Sequence, residues 1–200
     1  IGVSATFTPY FDMAIEIAKI CKSIFSNVPI VAGGHHATAV PETVLQHEFF
    51  DYVIMGEGEE RFLKLIAILS QDDLEALKQL DGIAYRSGNE ILVNPLEKFI
   101  ENLNQLPILK IEKDIGMLIT SRGCPKNCSF CSISKVMGKN MRFRSIDSVL
   151  AEMRTGIEHG VRHFDFEDDN FTINKNHAKG LLQEIIRHFG NHHVTLSAMN

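Results

Sequence analysis

Arg122-Gly123-Cys124-Pro125-Lys126-Asn127-Cys128-Ser129-Phe130-Cys131 decides how the rest of the chain is read. Three of the four cysteines lie in this window, with three residues between the first pair and two between the second. Thiolates are soft ligands, so a short loop presenting three of them suits zinc or an iron-sulfur cluster, whereas calcium or magnesium would call for carboxylates. The flanking residues help a loop wrap a metal: Gly123 permits unusual backbone angles, Pro125 fixes one, and Asn127 tolerates a left-handed turn. A structural zinc site and an ordinary four-iron cluster each take four protein ligands. No fourth cysteine is nearby, since Cys21 lies far upstream, and His159 and His163 are not part of a close ligand pair. Zinc, a disulfide and a cluster with one iron open to a ligand other than protein all remain readings of the spacing alone.

The Cys124-x3-Cys128-x2-Cys131 loop, with Phe130 just before its last cysteine, resembles that of radical S-adenosylmethionine (SAM) enzymes. The resemblance implies a 4Fe-4S cluster on the three cysteines. Its open iron would be chelated by the amino and carboxylate groups of SAM, which the reduced cluster cleaves to a 5'-deoxyadenosyl radical. It also implies that Phe130 packs by the adenine.

Composition bounds the remaining choices. A 200-residue chain with 44% hydrophobic residues can form one large domain or two small ones. A net charge of -5 with no long basic run argues against a sequence-blind grip on nucleic acid. The apolar runs fall short of the roughly eighteen residues of a membrane span. With no signal peptide ahead of the first strand and cysteines bunched for metal, the expectation is a soluble protein of the reducing cytoplasm. The chain opens inside an apolar run and stops just after another, so it reads as a fragment of something longer.

Residues 1–80 alternate strand and helix signals. Strands are predicted over 1–7, 29–32 and 51–55. The first helix carries Ala14, Ile17, Ala18, Cys21, Ile24 and Phe25 at helical spacing, so Cys21 reads as a core residue. Pro41 suits the first turn of a short helix, and a later helix places Phe62, Leu65, Ile66 and Leu69 on one face. The alternation predicts a partial doubly wound, Rossmann-like α/β domain. Ser4-Ala5-Thr6, Gly33-Gly34, Ala37-Thr38, Pro41-Glu42 and Gly56-Glu57-Gly58-Glu59 resemble the cobalamin-binding domain found ahead of the barrel in one radical SAM subgroup. The resemblance implies that Ser4, Ala5, Thr6, Gly33, Gly34, His35 and Gly56 line the nucleotide tail of cobalamin. The family's Asp-x-His-x-x-Gly motif is not in this chain, and many members of the subgroup lack its histidine.

Residues 81–113 read as a β-hairpin around Ser87-Gly88-Asn89 and then a linker with Pro95 and Pro107. From 114 to 200 the pattern is that of an α/β barrel's first half. A strand over 115–120 delivers the cysteine loop. Arg142 and Arg144 either steer anionic groups or pair with acids, and Ser145 caps a helix ending at Gly160. The strand over 161–166 ends in Glu167-Asp168-Asp169-Asn170-Phe171-Thr172, polar groups that need partners at a strand mouth. The resemblance implies that Glu167, Asp168 and Asp169 bind the methionine end of SAM. A helix with Leu181, Leu182, Ile185, Ile186 and Phe189 and a strand over 193–198 complete the chain.

The function expected from these readings is radical SAM chemistry with cobalamin as second cofactor, giving methyl transfer or a radical rearrangement such as ring formation. An electron donor such as flavodoxin or ferredoxin would serve it. Two alternatives are a non-catalytic zinc or iron-sulfur electron-transfer module, and a radical SAM enzyme whose first domain binds no cobalamin.

Overall fold

The computed structural model describes residues 1–111 and 115–198 and divides into two compact units. The first comprises residues 1–99 and 130–137, the second residues 100–129 and 138–200. The expected boundary between 113 and 114 lies outside the described residues.

In the first unit the order is β1 (Gly2–Ser4), α1 (Phe11–Ile24), β2 (Val31–Gly33), α2 (His35–Ala39), α3 (Pro41–Leu45), β3 (Tyr52–Ile54), α4 (Glu59–Gln71), α5 (Leu74–Leu77), β4 (Ile83–Ser87) and β5 (Glu90–Val93). The strands form one sheet in sequence order, parallel from β1 to β3 and antiparallel from β3 to β5. The predicted hairpin is observed and continues this sheet through the pairing of β3 with β4, with Gly88 at φ 62° in its turn. One core gathers Val3, Ala14, Ala18, Ile30, Ala32, Val44, Phe50 and Val53; a second lies around Leu65, Leu77, Leu80 and Ile83.

Helix α1 departs from the expected face. Phe11, Ala14 and Ala18 are buried, while Ile17, Ile24 and Phe25 are exposed along with Met13 and Ile20. Its apolar arc is wider than the strip that the sheet covers, and small alanines occupy the contact line where backbones come close.

The second unit contains β6 (Ile115–Leu118) and β7 (Ser121–Arg122); after them the chain passes through α6 (Ile133–Val136), which groups with the first unit. β8 (Arg142–Phe143), α7 (Ile146–Glu158), β9 (His163–Phe166), α8 (Lys175–Phe189) and β10 (Thr195–Ala198) follow in the second unit. β6, β9 and β10 make a parallel sheet in the order β10-β9-β6. Ser145 caps α7 by accepting from the Ser148 amide at 3.2 Å, and Asn174 caps α8 by accepting from the His177 amide at 3.1 Å. Leu118, Val149, Met153, Phe164, Phe166 and Leu181 fill the core between sheet and helices. Gly116 makes that packing close, since a Cβ there would sit 2.4 Å from the Phe164 ring. Among the described residues no helix is long and apolar enough to cross a membrane.

Candidate functional site

In the first unit the expected cobalamin residues stand just beyond the carboxyl ends of three adjacent parallel strands, where open α/β sheets bind ligands. Ser4 ends β1, Gly33 ends β2 and Gly56 follows β3. The Ser4 and Thr6 hydroxyls are 2.8 Å apart and Ser4 is exposed. Gly34 has φ 107° and ψ -178°, a region that only glycine occupies freely, and a Cβ there would lie 3.0 Å from the Ala5 carbonyl oxygen. That contact lets the loop fold back on β1: the His36 amide donates to the carbonyls of Ala5 and Thr6 at 3.1 Å each.

Sequence reasoning assigned no site role to Thr38, yet its hydroxyl donates to the Gly34 carbonyl at 2.8 Å and accepts from the Gly56 amide at 2.9 Å. It thereby ties two of the glycine turns together. The signal was its place four residues after Gly34, one helical turn on. His35 is half-buried, with its ring stacked on Phe7 at 6.4 Å. His36 is buried, with Nδ1 2.9 Å from the Thr8 hydroxyl and Nε2 without a hydrogen-bond partner. Burial lowers its pKa below the ordinary histidine value.

In the second unit, β6 ends at Leu118 and the chain turns into β7, whose Ser121 and Arg122 pair with Phe143 and Arg142 of β8. This two-residue ladder was not predicted. It closes the neck of the cysteine loop, reinforced by the Cys124 amide donating to the Gly138 carbonyl at 3.0 Å. Gly123, at φ 91°, is required there because a Cβ would stand 2.3 Å from the Asn140 carbonyl oxygen. All four cysteines are free thiols, with Cys128 and Cys131 exposed and Cys124 half-buried. Phe130 is 91% exposed. Among the described residues no three of His, Cys, Asp and Glu stand together as ligands of one metal ion. The chemistry of the donor set nonetheless fits a thiolate-bound cluster: soft, free, accessible sulfurs on a loop whose neck is fixed and whose aromatic residue is unpacked.

The acidic run after β9 is divided by the alternation of extended backbone. Glu167 and Asp169 are exposed; Asp168 is buried. The Asp168 carboxylate accepts from the Thr120 amide at 2.9 Å, the Thr120 hydroxyl at 2.7 Å, the Ser121 hydroxyl at 3.0 Å and also the Ser121 amide. Arg144 pairs with the buried Glu152 at 2.6 Å, and it reaches the Ile119 carbonyl at 3.1 Å. Arg142, buried, donates to the Ile100 carbonyl at 2.8 Å. Of the two readings of these arginines, pairing within the fold is the one observed for Arg144. Near the start of α8 a cavity of about 610 Å³ is lined by Pro125, Met141, Phe143, Ile173, Asn174 and Lys175. His177, against the Phe143 ring at 4.7 Å, has its pKa lowered by burial and partly restored by Asp168.

Residues 1–66 match the B12 binding domain family and residues 118–199 match the radical SAM superfamily. The chain is 37% identical over 191 residues to an uncharacterized methyltransferase of Pyrococcus horikoshii, covering 89% of this chain and 41% of that one. It is 29% identical over 201 residues to an anaerobic magnesium-protoporphyrin IX monomethyl ester cyclase of Cereibacter sphaeroides, covering 93% and 33%. Its fold is similar to that of the radical SAM methyltransferase TsrM from Kitasatospora setae, solved with cobalamin and a [4Fe-4S] cluster bound. The TM-score is 0.80 at 19% identity, over 98% of this chain and 42% of that one. The chain thus spans about two-fifths or less of the length of these relatives.

Proposed function

We propose, from the premise that this chain belongs to the radical SAM superfamily and carries a B12 binding domain ahead of its barrel strands, that the whole protein is a cobalamin-dependent radical SAM enzyme. Methyl transfer is the favoured reaction, since the Pyrococcus relative, 37% identical, is described as a methyltransferase. A radical cyclisation is the second reading, favoured by the cyclase relative. The observation that carries the proposal is the trio of free thiols Cys124, Cys128 and Cys131 on a loop whose neck is pinned by β7 and β8. When bound, a four-iron cluster would supply an electron to SAM, and cobalamin a cobalt centre for group transfer.

The chain's own residues have separate tasks in this reading. The three cysteines hold the cluster, and Phe130, held out from its surroundings, borders the adenine. Glu167 and Asp169, exposed past β9, face the ammonium of SAM. Ser4, Ala5, Thr6, Gly33, Gly34, His35 and Gly56 line the cobalamin tail, and the close backbone at Gly34 leaves the space that a side chain would fill. An external one-electron donor such as flavodoxin or ferredoxin reduces the cluster, and the protein works in the cytoplasm. The cobalamin domain, the hairpin with its linker and the barrel segment are assigned to residues 1–80, 81–113 and 114–200.

Anaerobic reconstitution of the full-length protein tests this. The wild type should take up about four irons per chain and cleave SAM, and replacing Cys124, Cys128 and Cys131 by alanine should abolish both. A protein that holds zinc, or a cluster whose spectrum ignores added SAM, refutes the proposal. Failure to bind hydroxocobalamin removes the cobalamin assignment alone.

A further inference from the structure

We infer that Asp168 is a positioning residue, the tether that fixes the strand end leading into the cysteine loop, rather than a ligand of SAM. The inference rests on the proposed reading of the loop as a cluster site, and it changes the role that the acidic run suggests for its middle member.

The argument starts from valence. An ionised carboxylate offers about four lone-pair positions on its two oxygens. Oδ1 accepts from three donors, the amides of Thr120 and Ser121 and the Ser121 hydroxyl, and Oδ2 accepts from the Thr120 hydroxyl. At 4% exposure the carboxylate is turned into the fold, toward Thr120 and Ser121, and away from the solvent from which a diffusible ammonium would come. The donors are also particular. They belong to consecutive residues where β6 has ended and β7 begins, two positions before Gly123. In a parallel sheet, the strand-to-strand ladder has run out by this point: Leu118 pairs with Phe166, and the Glu167 amide donating to the Leu118 carbonyl at 2.8 Å is the last backbone rung. The amides of Thr120 and Ser121 would otherwise be buried without an acceptor, since both residues are themselves buried. Asp168 supplies side-chain acceptors in place of a strand.

The opposite side of the same segment is held as well. The Arg144 amide donates to the Thr120 carbonyl at 2.8 Å, and the Arg144 guanidinium, paired with Glu152, donates to the Ile119 carbonyl. Residues 119–121 are therefore gripped from β9 by a carboxylate and from the approach to α7 by a guanidinium, and Cys124 follows three residues later. Charge-assisted hydrogen bonds give such a grip its directionality. A site must hold its reacting groups to within about half an ångström, and that precision comes from the residues behind the ligands.

Two substitutions in the full-length protein separate tether from ligand. In Asp168→Asn, the amide oxygen still accepts from both backbone amides and the Ser121 hydroxyl. The amide nitrogen donates to the Thr120 hydroxyl, which reverses its role. Asp168→Ala removes every bond. Residue-resolved amide hydrogen exchange on the cofactor-free protein should show protection of Thr120 and Ser121 reduced roughly tenfold or more in the alanine variant. In the asparagine variant it should stay within about threefold of wild type. After reconstitution, the asparagine variant should keep its iron and its spectral response to SAM, and the alanine variant should lose iron.

An asparagine variant that binds iron normally but no longer responds to SAM would make Asp168 a ligand and overturn the inference. So would an alanine variant with unaltered amide protection. Should the alanine variant not fold, the asparagine variant alone decides. Wild-type protein that takes up no iron sinks the cluster reading, while the exchange result still judges the tether.

Discussion

The two units end their parallel strands in different ways. At the strand ends of the first unit, the turns are held by main chain and one small hydroxyl: His36 and Ala37 amides on the Ala5 carbonyl, and Thr38 bridging Gly34 to Gly56. At the strand end of the second, the work is done by charged side chains, Asp168 and the Arg144–Glu152 pair. A glycine-built turn leaves room beside it but tolerates no added carbon. A side-chain-built turn can present its loop outward, yet depends on single groups that have no backup. In the proposed reading, the first arrangement suits a surface on which a bulky cofactor would lie, and the second a loop that would offer thiols at a fixed place.

The first unit has a buried charged anchor too, and removing it makes the sharpest contrast. Arg61 is buried and donates to Asp81 Oδ2 at 2.5 Å, the Asp81 carbonyl at 3.0 Å, the Glu57 carbonyl at 2.6 Å and the Lys98 carbonyl. It fastens α4 to the start and end of the β4–β5 hairpin. Burial works against the charge on Asp81, but Arg61 and the amides of Glu97 and Lys98 outweigh it and hold its pKa below the ordinary value. Arg61→Met should cost about 3–5 kcal/mol by urea denaturation at neutral pH, because it leaves a half-buried carboxylate and three carbonyls short of a donor. Since the pKa of Asp81 is depressed on folding, its stabilisation is present above the unfolded value of 3.8 and is lost as the pH falls through the folded one. The wild-type advantage over the variant should shrink on acidification accordingly. A loss under 1 kcal/mol, by the same measure, would mean that the hairpin is held by its strand pairing alone.

Gly34→Ala comes next in size. A non-glycine residue at φ 107° and ψ -178° costs about 1–3 kcal/mol, and the new Cβ would press on the Ala5 carbonyl oxygen at 3.0 Å. The unfolding free energy from urea denaturation should fall by that amount, and affinity for hydroxocobalamin should drop with it in the full-length protein. Gly88→Ala is the control: φ is also positive, at 62°, but nothing lies within 4 Å, so its cost should be smaller and cobalamin binding unchanged. Equal effects at the two glycines would show that strain alone matters and that the close approach at Gly34 has no bearing on the ligand.

Much of this architecture was legible before any coordinates. Strand-sized apolar runs separated by helical periodicities gave the parallel segments, and Ser145 and Pro41 announced the helix starts that are observed. What escaped was whatever depends on pairing across the sequence. Nothing local in Ser121-Arg122 says that it will ladder with Arg142-Phe143, because two-residue strands carry no periodicity. The hairpin was seen, but not that β4 would join β3, since edge choice is set by which strand is left unpaired. On α1 the pattern named the apolar residues correctly and misjudged which of them face the sheet, as an arc of that width admits several orientations. Asp168 shows the same limit at the site. Its residue type marked it as important, and only the partners, Thr120 and Ser121, reveal in what capacity.

The smallest expected effect concerns acid sensitivity, and it compares the units through one histidine in each. His36 has its ring against Phe11 at 4.4 Å, shares Nδ1 with the Thr8 hydroxyl and leaves Nε2 buried without a partner, so a second proton has no acceptor to meet. Burial lowers its pKa, so the unfolded chain binds more protons in the interval below 6.5, and stability must fall as the pH drops through that interval. His177 is lowered by burial too, with Asp168 acting against the shift, and its Nε2 is likewise buried without a partner, so it contributes in the same direction. Urea midpoints taken from pH 7.5 to 5.5 should therefore decline for the wild type, and the decline should flatten in His36→Asn and in His177→Asn. A decline that flattens in His36→Asn alone would assign the proton uptake to the glycine-built strand ends. One that flattens in His177→Asn alone would assign it to the side-chain-built end, and one that flattens in neither would show that neither buried ring takes up the proton.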